Sequence, residues 1–429
     1  MQGEVINIKQ IRAKNILQID NRFETLQRQL ITASFFNLFL VACIGLLLRS
    51  FPFISDFPLT FKNLLHGHSH FAFGGWLMPV ILALIMRNFP ELITKHSFKH
   101  WRNLAFIFLF SAYGMLFTFP FTGYALFSVI FSTLSILGGF YLVIICWRSV
   151  SSSSNKISLQ FLFWGLVYFV ISSVGPFSTG PLIVMGYKGE PIYFNAIYFY
   201  LHFQYNGWFT FIVLALFYRM LEEKEIITSG KKLLLILNLS ILPTFFLSVL
   251  WMKPSMFFYF IGGVGATLQL TTIFYLLKDV KVMVWKWRGI EKLFLLSMVV
   301  FCFKIVLQFL SSFPAVAAIA FSFRNFIISY LHLVLLGFIS LFLVAAVIKS
   351  HSLQLAGNLK TGINLILFSL ITTELILVLQ AGLAWLGTPL PNYHYALFIL
   401  SIFFPVGFLL LWKDVNAQFK FSFSSIYPD

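Results

Sequence analysis

The chain has 429 residues, of which 59% are hydrophobic and only 10% are charged. A soluble domain of this size needs more charge to cover its surface, so the composition excludes a soluble globular protein and indicates a polytopic membrane protein. The formal net charge of +16 could point to a nucleic-acid partner, but the basic residues follow the pattern of membrane topology described below. We therefore expect membrane lipid, and no nucleic acid, around this chain.

Apolar spans of roughly 20 residues, long enough to cross a bilayer as helices, recur along the sequence. We predict twelve, at 33–50, 65–87, 103–121, 123–147, 158–175, 192–220, 232–251, 255–278, 291–310, 324–348, 361–385 and 394–412. The fold class predicted is therefore an all-α membrane protein with twelve transmembrane helices.

The loops between these spans differ in charge. Lysine and arginine cluster before the first span and after the second, sixth and eighth spans, whereas the intervening loops hold few of them. By the positive-inside rule both termini are cytoplasmic. We expect a cytoplasmic tail over 1–32, one membrane domain over 33–412 and a cytoplasmic tail over 413–429, and the tail before the first span is too long and too charged for a typical cleaved signal.

One short pattern occurs three times: a histidine, then a glycine five residues later, then an aromatic residue. The copies begin at His70, His202 and His332, at nearly equal intervals on the second, sixth and tenth predicted helices. Such spacing predicts three repeated units of four helices each. With the amino terminus inside, helices 2, 6 and 10 enter the membrane from its outer face. At ~1.5 Å per residue the three histidines lie roughly 9–15 Å below the outer surface, so we expect a functional site in that layer.

The first copy lies in a His-x-His-x-His run of His66, His68 and His70. At ~100° per residue His66 and His70 share a helix face and His68 points away from it. His70 keeps the register of the repeat and lies deepest. Two other interpretations stay open for the run: a surface site for zinc or copper, and a polar cap at the membrane interface.

Further polar and small residues accompany the repeat. Gln204 and Asn206 follow His202 closely and predict a polar cavity on that helix. Lys304 and Glu374 are the lysine and the carboxylate that fall well inside spans, at similar depth, and we hypothesise that they form a buried ion pair. The glycines of the repeat, with one more beside the first, either allow close helix packing or make room for a flat ring; they are Gly74, Gly75, Gly207 and Gly337.

Twelve helices with histidines on helices 2, 6 and 10 resemble subunit I of the heme-copper oxidases and their nitric oxide reductase relatives. The resemblance covers nearly the whole chain as topology, in three pseudo-threefold-related four-helix arcs, but only short motifs as sequence. In that family a helix 2 and a helix 10 histidine ligate a low-spin heme, and His70 and His332 match them. An alignment on Met78-Pro79 favours His68 instead of His70. His202 matches a helix 6 ligand of the second metal.

The resemblance also predicts the surroundings of the heme. It implies one low-spin heme b, with the glycines at 74, 75 and 337 beside the ring. Arg324, Lys62 and His394 would lie near the acidic propionates at the outer face.

The chain departs from the family at the reaction centre. Tyr330 stands where the family has the proximal histidine of the second heme, the two adjacent histidines of helix 7 have no counterpart, and Asn206 stands where relatives have Tyr or Glu. A single imidazole does not hold a redox copper. The resemblance thus implies an intact low-spin site and an incomplete site for a second heme or copper, with His202, Asn206 and Tyr330 as its residual positions.

Three functions follow as expectations. The first is heme-based electron transfer in respiration, or a response to oxygen or nitric oxide, in a bacterial inner membrane, with a quinol or cytochrome c donor or a partner subunit. The second is an active oxygen or nitric oxide reductase in which Tyr330 ligates a second heme, a role that tyrosine fills in catalase. The third is a transporter or assembly factor for heme or metal.

Overall fold

The computed structural model describes residues 2–93, 96–151, 155–226, 228–284 and 289–424. These residues are almost entirely helical, and no strand occurs among them. The all-α class is confirmed. It follows from the composition, because a backbone in lipid must satisfy its own hydrogen bonds and the helix does so within one segment.

The main helices are numbered in chain order. They are α1 (Gln2–Ser50), α2 (Phe61–Asn88), α3 (Phe98–Thr122), α4 (Leu126–Ser151), α5 (Ile157–Val184), α6 (Pro191–His202, Phe203–Phe209 and Thr210–Glu222), α7 (Gly230–Met252), α8 (Met256–Val284), α9 (Glu291–Leu310), α10 (Arg324–Ser350), α11 (Gly357–Trp385) and α12 (Tyr393–Ser401 and Phe403–Ser424). Short helices at Pro90–Ile93 and Pro314–Ser322 lie in the connections.

Eleven helices of the described chain are long and apolar enough to cross a membrane. The protein is therefore an integral membrane protein. Helix α6 is not among the eleven. Its middle turns carry Gln204, Tyr205 and Asn206, which lower its hydropathy although it is continuously helical.

Helices α1 and α12 extend beyond their predicted apolar spans. Helix α1 begins at Gln2 rather than near residue 33, and Phe23, Leu30 and Ile31 are buried. Helix α12 continues to Ser424, and Arg28 Nη1 donates to the carbonyl of Phe419 at 3.2 Å. Much of the two predicted tails is thus helical; residues 425–429 lie outside the described part.

Two compact units make up the chain. The first comprises Met1–Ser149, Ser350–Ile366 and Ile402–Asp429, and the second comprises Val150–Lys349 and Leu367–Ser401. The first unit contains nearly all of α1 to α4, the first predicted group of four helices. It holds the histidines of the 66–70 run, and the second unit holds His202 and His332.

A π-helical segment interrupts each of α2, α6 and α10. The segments are Ala72–Leu77, Phe203–Phe209 and Leu333–Ser340. Each begins one or two residues after the repeated histidine and contains the repeated glycine and aromatic residue. Segments of this kind are rare and often mark functional sites. The repeat seen in sequence therefore has a counterpart in backbone hydrogen bonding.

Candidate functional site

The aromatic residue that closes each copy of the repeat is a core residue. Trp76, Trp208 and Phe338 are at most 2% exposed. Each packs on an aromatic ring of another helix in its own unit, with ring centroids 5.5, 5.6 and 4.5 Å apart, the partners being Phe35, Phe169 and Phe301. These contacts anchor the π segments, and with them the histidines that precede them.

Two histidines of α2, His66 and His70, share a helix face, as their spacing predicted, and this face lies against the end of α3. The His70 ring stacks on Phe119, with centroids 4.1 Å apart and planes 5° apart, and its Nε2 is hydrogen-bonded to the Tyr124 hydroxyl at 2.9 Å. His66 meets the Tyr124 ring edge-on at 4.8 Å, and His66 Nε2 is buried without a hydrogen-bond partner. The nitrogen that would ligate iron in His70 is thus already engaged.

His68 points the other way, toward α1. Its Nδ1 is 3.1 Å from the carbonyl of Val41. A carbonyl only accepts, so Nδ1 carries the proton and the lone pair lies on Nε2. The neighbouring residue on α1 is Gly45, where an added Cβ would come within 3.1 Å of His68 Cε1. The absence of a side chain at residue 45 therefore gives the imidazole its room.

His332 on α10 is paired with a carboxylate in the same unit. Its Nδ1 lies 3.0 Å from Glu374 Oε1, with the two side chains 30% and 14% exposed. Donation from Nδ1 to the carboxylate leaves the lone pair of His332 on Nε2. Metal-ligating histidines usually have this arrangement, in which the second nitrogen is held by a carboxylate or a carbonyl. His332 therefore fits the role of an axial heme ligand.

His202 is 1% exposed, and both of its ring nitrogens are used inside the second unit. Nε2 donates to the Ile241 carbonyl at 2.9 Å. Nδ1 accepts from the Asn206 amide at 3.1 Å, four residues along the same helix. A metal at His202 would have to displace one of these bonds. The polar face predicted for α6 is thus a satisfied hydrogen-bond network at the histidine, although Asn206 Oδ1 is buried without a partner.

The predicted ion pair between Lys304 and Glu374 is wrong. Glu374 pairs with His332, and Lys304 makes no ion pair among the residues that the structure describes. Lys304 is 2% exposed, and its Nζ lies 5.8 Å from the centre of the Phe301 ring. The ion pair was predicted because Lys304 and Glu374 lie at similar depth in their spans, but depth does not determine the direction in which a side chain points.

The repeated glycines mainly serve close packing. An added Cβ would come within 2.7 Å of Met115 at Gly74, 2.6 Å of Phe71 at Gly75 and 2.6 Å of Tyr168 at Gly207. At Gly337 the nearest atom is farther, at 3.3 Å. Side chains of neighbouring helices occupy the space beside Gly74 and Gly207, so the helix-packing interpretation holds for these two, whereas the ring beside Gly75 is that of Phe71 on the same helix. The contact at Gly337 is the least tight of the four, although an added Cβ there would still require Val300 to shift by a few tenths of an ångström.

The remaining predicted residues lie at helix ends or inside the second unit. Tyr330 meets the Tyr205 ring edge-on, with centroids 6.4 Å apart. Arg324 is the first residue of α10. His394 is the second residue of α12 and packs on the Tyr393 ring at 3.9 Å. Lys62 is the second residue of α2.

The sequence did not identify two partners at this site, Tyr124 and Val41. Tyr124 lies beyond α3, and Val41 contributes only a backbone carbonyl, so neither leaves a trace in the local pattern. Asn206 follows His202 by four residues, a spacing that does place two side chains on one helix face. Among the described residues no group of three or more His, Cys, Asp or Glu is arranged to hold a metal ion. No protein-family model and no curated protein matches the chain.

Proposed function

We propose that the chain is a twelve-helix, heme-binding membrane protein of the oxidase subunit I type, in which His332 and a histidine of α2 would hold the iron. The observation that carries the proposal is the His332–Glu374 pair, since it prepares Nε2 for a metal in the way typical of ligating histidines. Bound heme would supply one-electron chemistry, and imidazoles on both faces favour electron transfer over gas binding.

The second ligand comes from α2. The register of the repeat favours His70, whereas an alignment on Met78-Pro79 favours His68. His68 has its proton on Nδ1, held by the Val41 carbonyl, while Nε2 of His70 is bonded to Tyr124. We propose that one of these two histidines, His70 or His68, is the second ligand, and in the present structure the His70 ring stacks on Phe119 of α3.

We propose electron transfer rather than gas reduction because both ring nitrogens of His202 are in hydrogen bonds. In the related enzymes this place supplies a ligand to the second metal, but here both nitrogens of His202 are in hydrogen bonds. Asn206 orients the ring in place of the Tyr or Glu of relatives. The residues of α6 thus hold a neutral imidazole and do not present a lone pair to a metal.

Two charged or polar groups of the second unit are proposed to bind the acidic edge of the heme. Arg324 is the first residue of α10, and His394 is the second residue of α12. Lys62 is the second residue of α2. The electron donor is proposed to be a quinol or cytochrome c at a bacterial inner membrane. A partner subunit would contact the same outer face.

The test is the heme content of the purified full chain. We expect one heme b per chain and a reduced-minus-oxidised spectrum of bis-imidazole type. His332→Ala should abolish that spectrum, and of His70→Ala and His68→Ala the variant that removes the second ligand should abolish it as well. His100→Ala is the control. His100 lies at the start of α3, away from the repeat, and is hydrogen-bonded to the Tyr141 hydroxyl of α4. Purified protein without heme would refute the proposal.

The same measurement separates the alternatives. Two hemes per chain, with turnover of oxygen or nitric oxide, would favour a reductase in which Tyr330 ligates the second heme. The contact of Tyr330 with Tyr205 is the observation that bears on this alternative, since it places two phenols in the unit that holds His202. Reversible and substoichiometric heme would instead mark a heme transporter or assembly factor.

A further inference from the structure

We infer that Glu374 is a positioning residue that lowers the reduction potential of the heme by giving His332 anionic character. The inference rests on the proposed function, namely that His332 ligates heme iron. It requires only two residues, both in the second unit and joined by a hydrogen bond of 3.0 Å. The proposed function uses Glu374 only to hold the Nδ1 proton of His332, and the negative charge of this intramembrane carboxylate has a further consequence.

The geometry determines which atoms carry the proton and the lone pair. An ionised carboxylate only accepts hydrogen bonds, so Nδ1 of His332 must donate. Oε2 of Glu374 is buried and has no hydrogen-bond partner. The Nδ1 proton of His332 is therefore the one hydrogen-bond donor to this carboxylate in the described structure. A strongly held Nδ1 proton makes the imidazole a more basic ligand through Nε2.

Charge acts in the same direction as ligand basicity. Ferric iron carries one more positive charge than ferrous iron, so a nearby carboxylate stabilises the oxidised state and lowers the potential. Lys304, a buried lysine of this unit, pairs with no carboxylate in the described part of the chain, and Glu374 is hydrogen-bonded to Nδ1 of His332. The partly buried position of Glu374, with its side chain 14% exposed, limits screening by water.

A purely structural role predicts something different. The His332–Glu374 bond could simply join α10 to α11, and glutamine would preserve that bond, because its Oε1 still accepts from Nδ1. Glu374→Gln therefore removes the charge and keeps the hydrogen bond. Under the structural role the potential is unchanged, and under the inference it rises.

The experiment is a redox titration of the purified heme protein, wild type against Glu374→Gln. We expect the ratio of reduced to oxidised heme at a fixed ambient potential to rise about tenfold, which for a one-electron couple is an upward shift of about 59 mV. Glu222→Gln is the matched control. Glu222 is a carboxylate of the same unit, bonded to Ser158 at the far end of α6, and its neutralisation should leave the potential unchanged.

The outcomes separate the two proposals. Wild-type protein without heme would refute the proposed function itself. Heme-loaded Glu374→Gln with the wild-type potential, or an equal rise in Glu222→Gln, would overturn the role of Glu374 while the heme assignment stands. If Glu374→Gln loses its heme, electron paramagnetic resonance of the oxidised wild type decides: a narrow spread of g values indicates an imidazolate-like ligand and supports the inference, and the wide spread of two neutral imidazoles overturns it.

Discussion

Gly207 and Gly337 occupy the same place in two copies of the repeat but have different surroundings. A Cβ at Gly207 would come within 2.6 Å of Tyr168 Cβ and 2.9 Å of its Cγ, whereas a Cβ at Gly337 would first meet Val300 Cγ1 at 3.3 Å. Tyr168 is also fixed at its far end, where its hydroxyl donates to Asn238 Oδ1 at 2.6 Å. Gly207→Ala should therefore lower the free energy of unfolding more than Gly337→Ala.

The size of the difference follows from packing. Carbon atoms in contact prefer roughly 3.5–4.0 Å, so Gly207→Ala forces α5 and α6 apart by about 1 Å. Overpacking of a well-filled core costs about 1–3 kcal/mol. Alanine gains about 0.8–1.0 kcal/mol over glycine in a helix, but both variants share that gain. We expect Gly207→Ala to be less stable than Gly337→Ala by about 1–3 kcal/mol.

The assay is unfolding of the detergent-solubilised protein in mixed micelles with increasing SDS, followed by circular dichroism. The Gly337→Ala midpoint should lie at or above the wild-type value, and the Gly207→Ala midpoint clearly below that of Gly337→Ala. Equal midpoints for the two variants would refute the reasoning, because they would mean that Tyr168 yields without cost and that the repeated glycine is not needed for helix packing.

Two further predictions concern buried charge in the second unit. Lys304→Met removes an ammonium that has no ion pair among the described residues, so the thermal midpoint in detergent should stay level or rise; a clear fall would show that the ammonium stabilises the fold. Asp279 accepts from the Tyr218 hydroxyl and from the Ser229 amide, each at 2.8 Å. Asp279→Ala leaves both donors unsatisfied, at about 1–3 kcal/mol each, and should cost more in SDS unfolding than Tyr218→Phe, which removes one donor; the reverse order would contradict the assignment.

Helix positions were predicted well where apolar length decides them. The ninth span was predicted at 291–310 and α9 is Glu291–Leu310. The ends of the chain were not, because there the helices continue as charged, amphipathic segments. Arg28 bonds both to Glu24 and to the Phe419 carbonyl, so polar residues that look like a solvated tail are held on a helix surface.

The candidate site was predicted in part. The shared face of His66 and His70 followed from helix geometry, and both residues contact Tyr124. The partner of Glu374 did not follow, because spacing along one helix cannot give the rotation of a neighbouring helix. The π segments were also missed, since the choice between i+4 and i+5 hydrogen bonds depends on packing against other helices and leaves no simple trace in composition.

The π segments bear on how such a chain arose. Each one accommodates a surplus residue in an otherwise regular helix, and three independent insertions at matching places beside a histidine would be an improbable coincidence. A single insertion in an ancestral gene, followed by copying of the whole segment, accounts for all three. If the three predicted units arose by such copying, the widened turn is older than the copying, and the different neighbours of Gly75, Gly207 and Gly337 reflect later divergence around it.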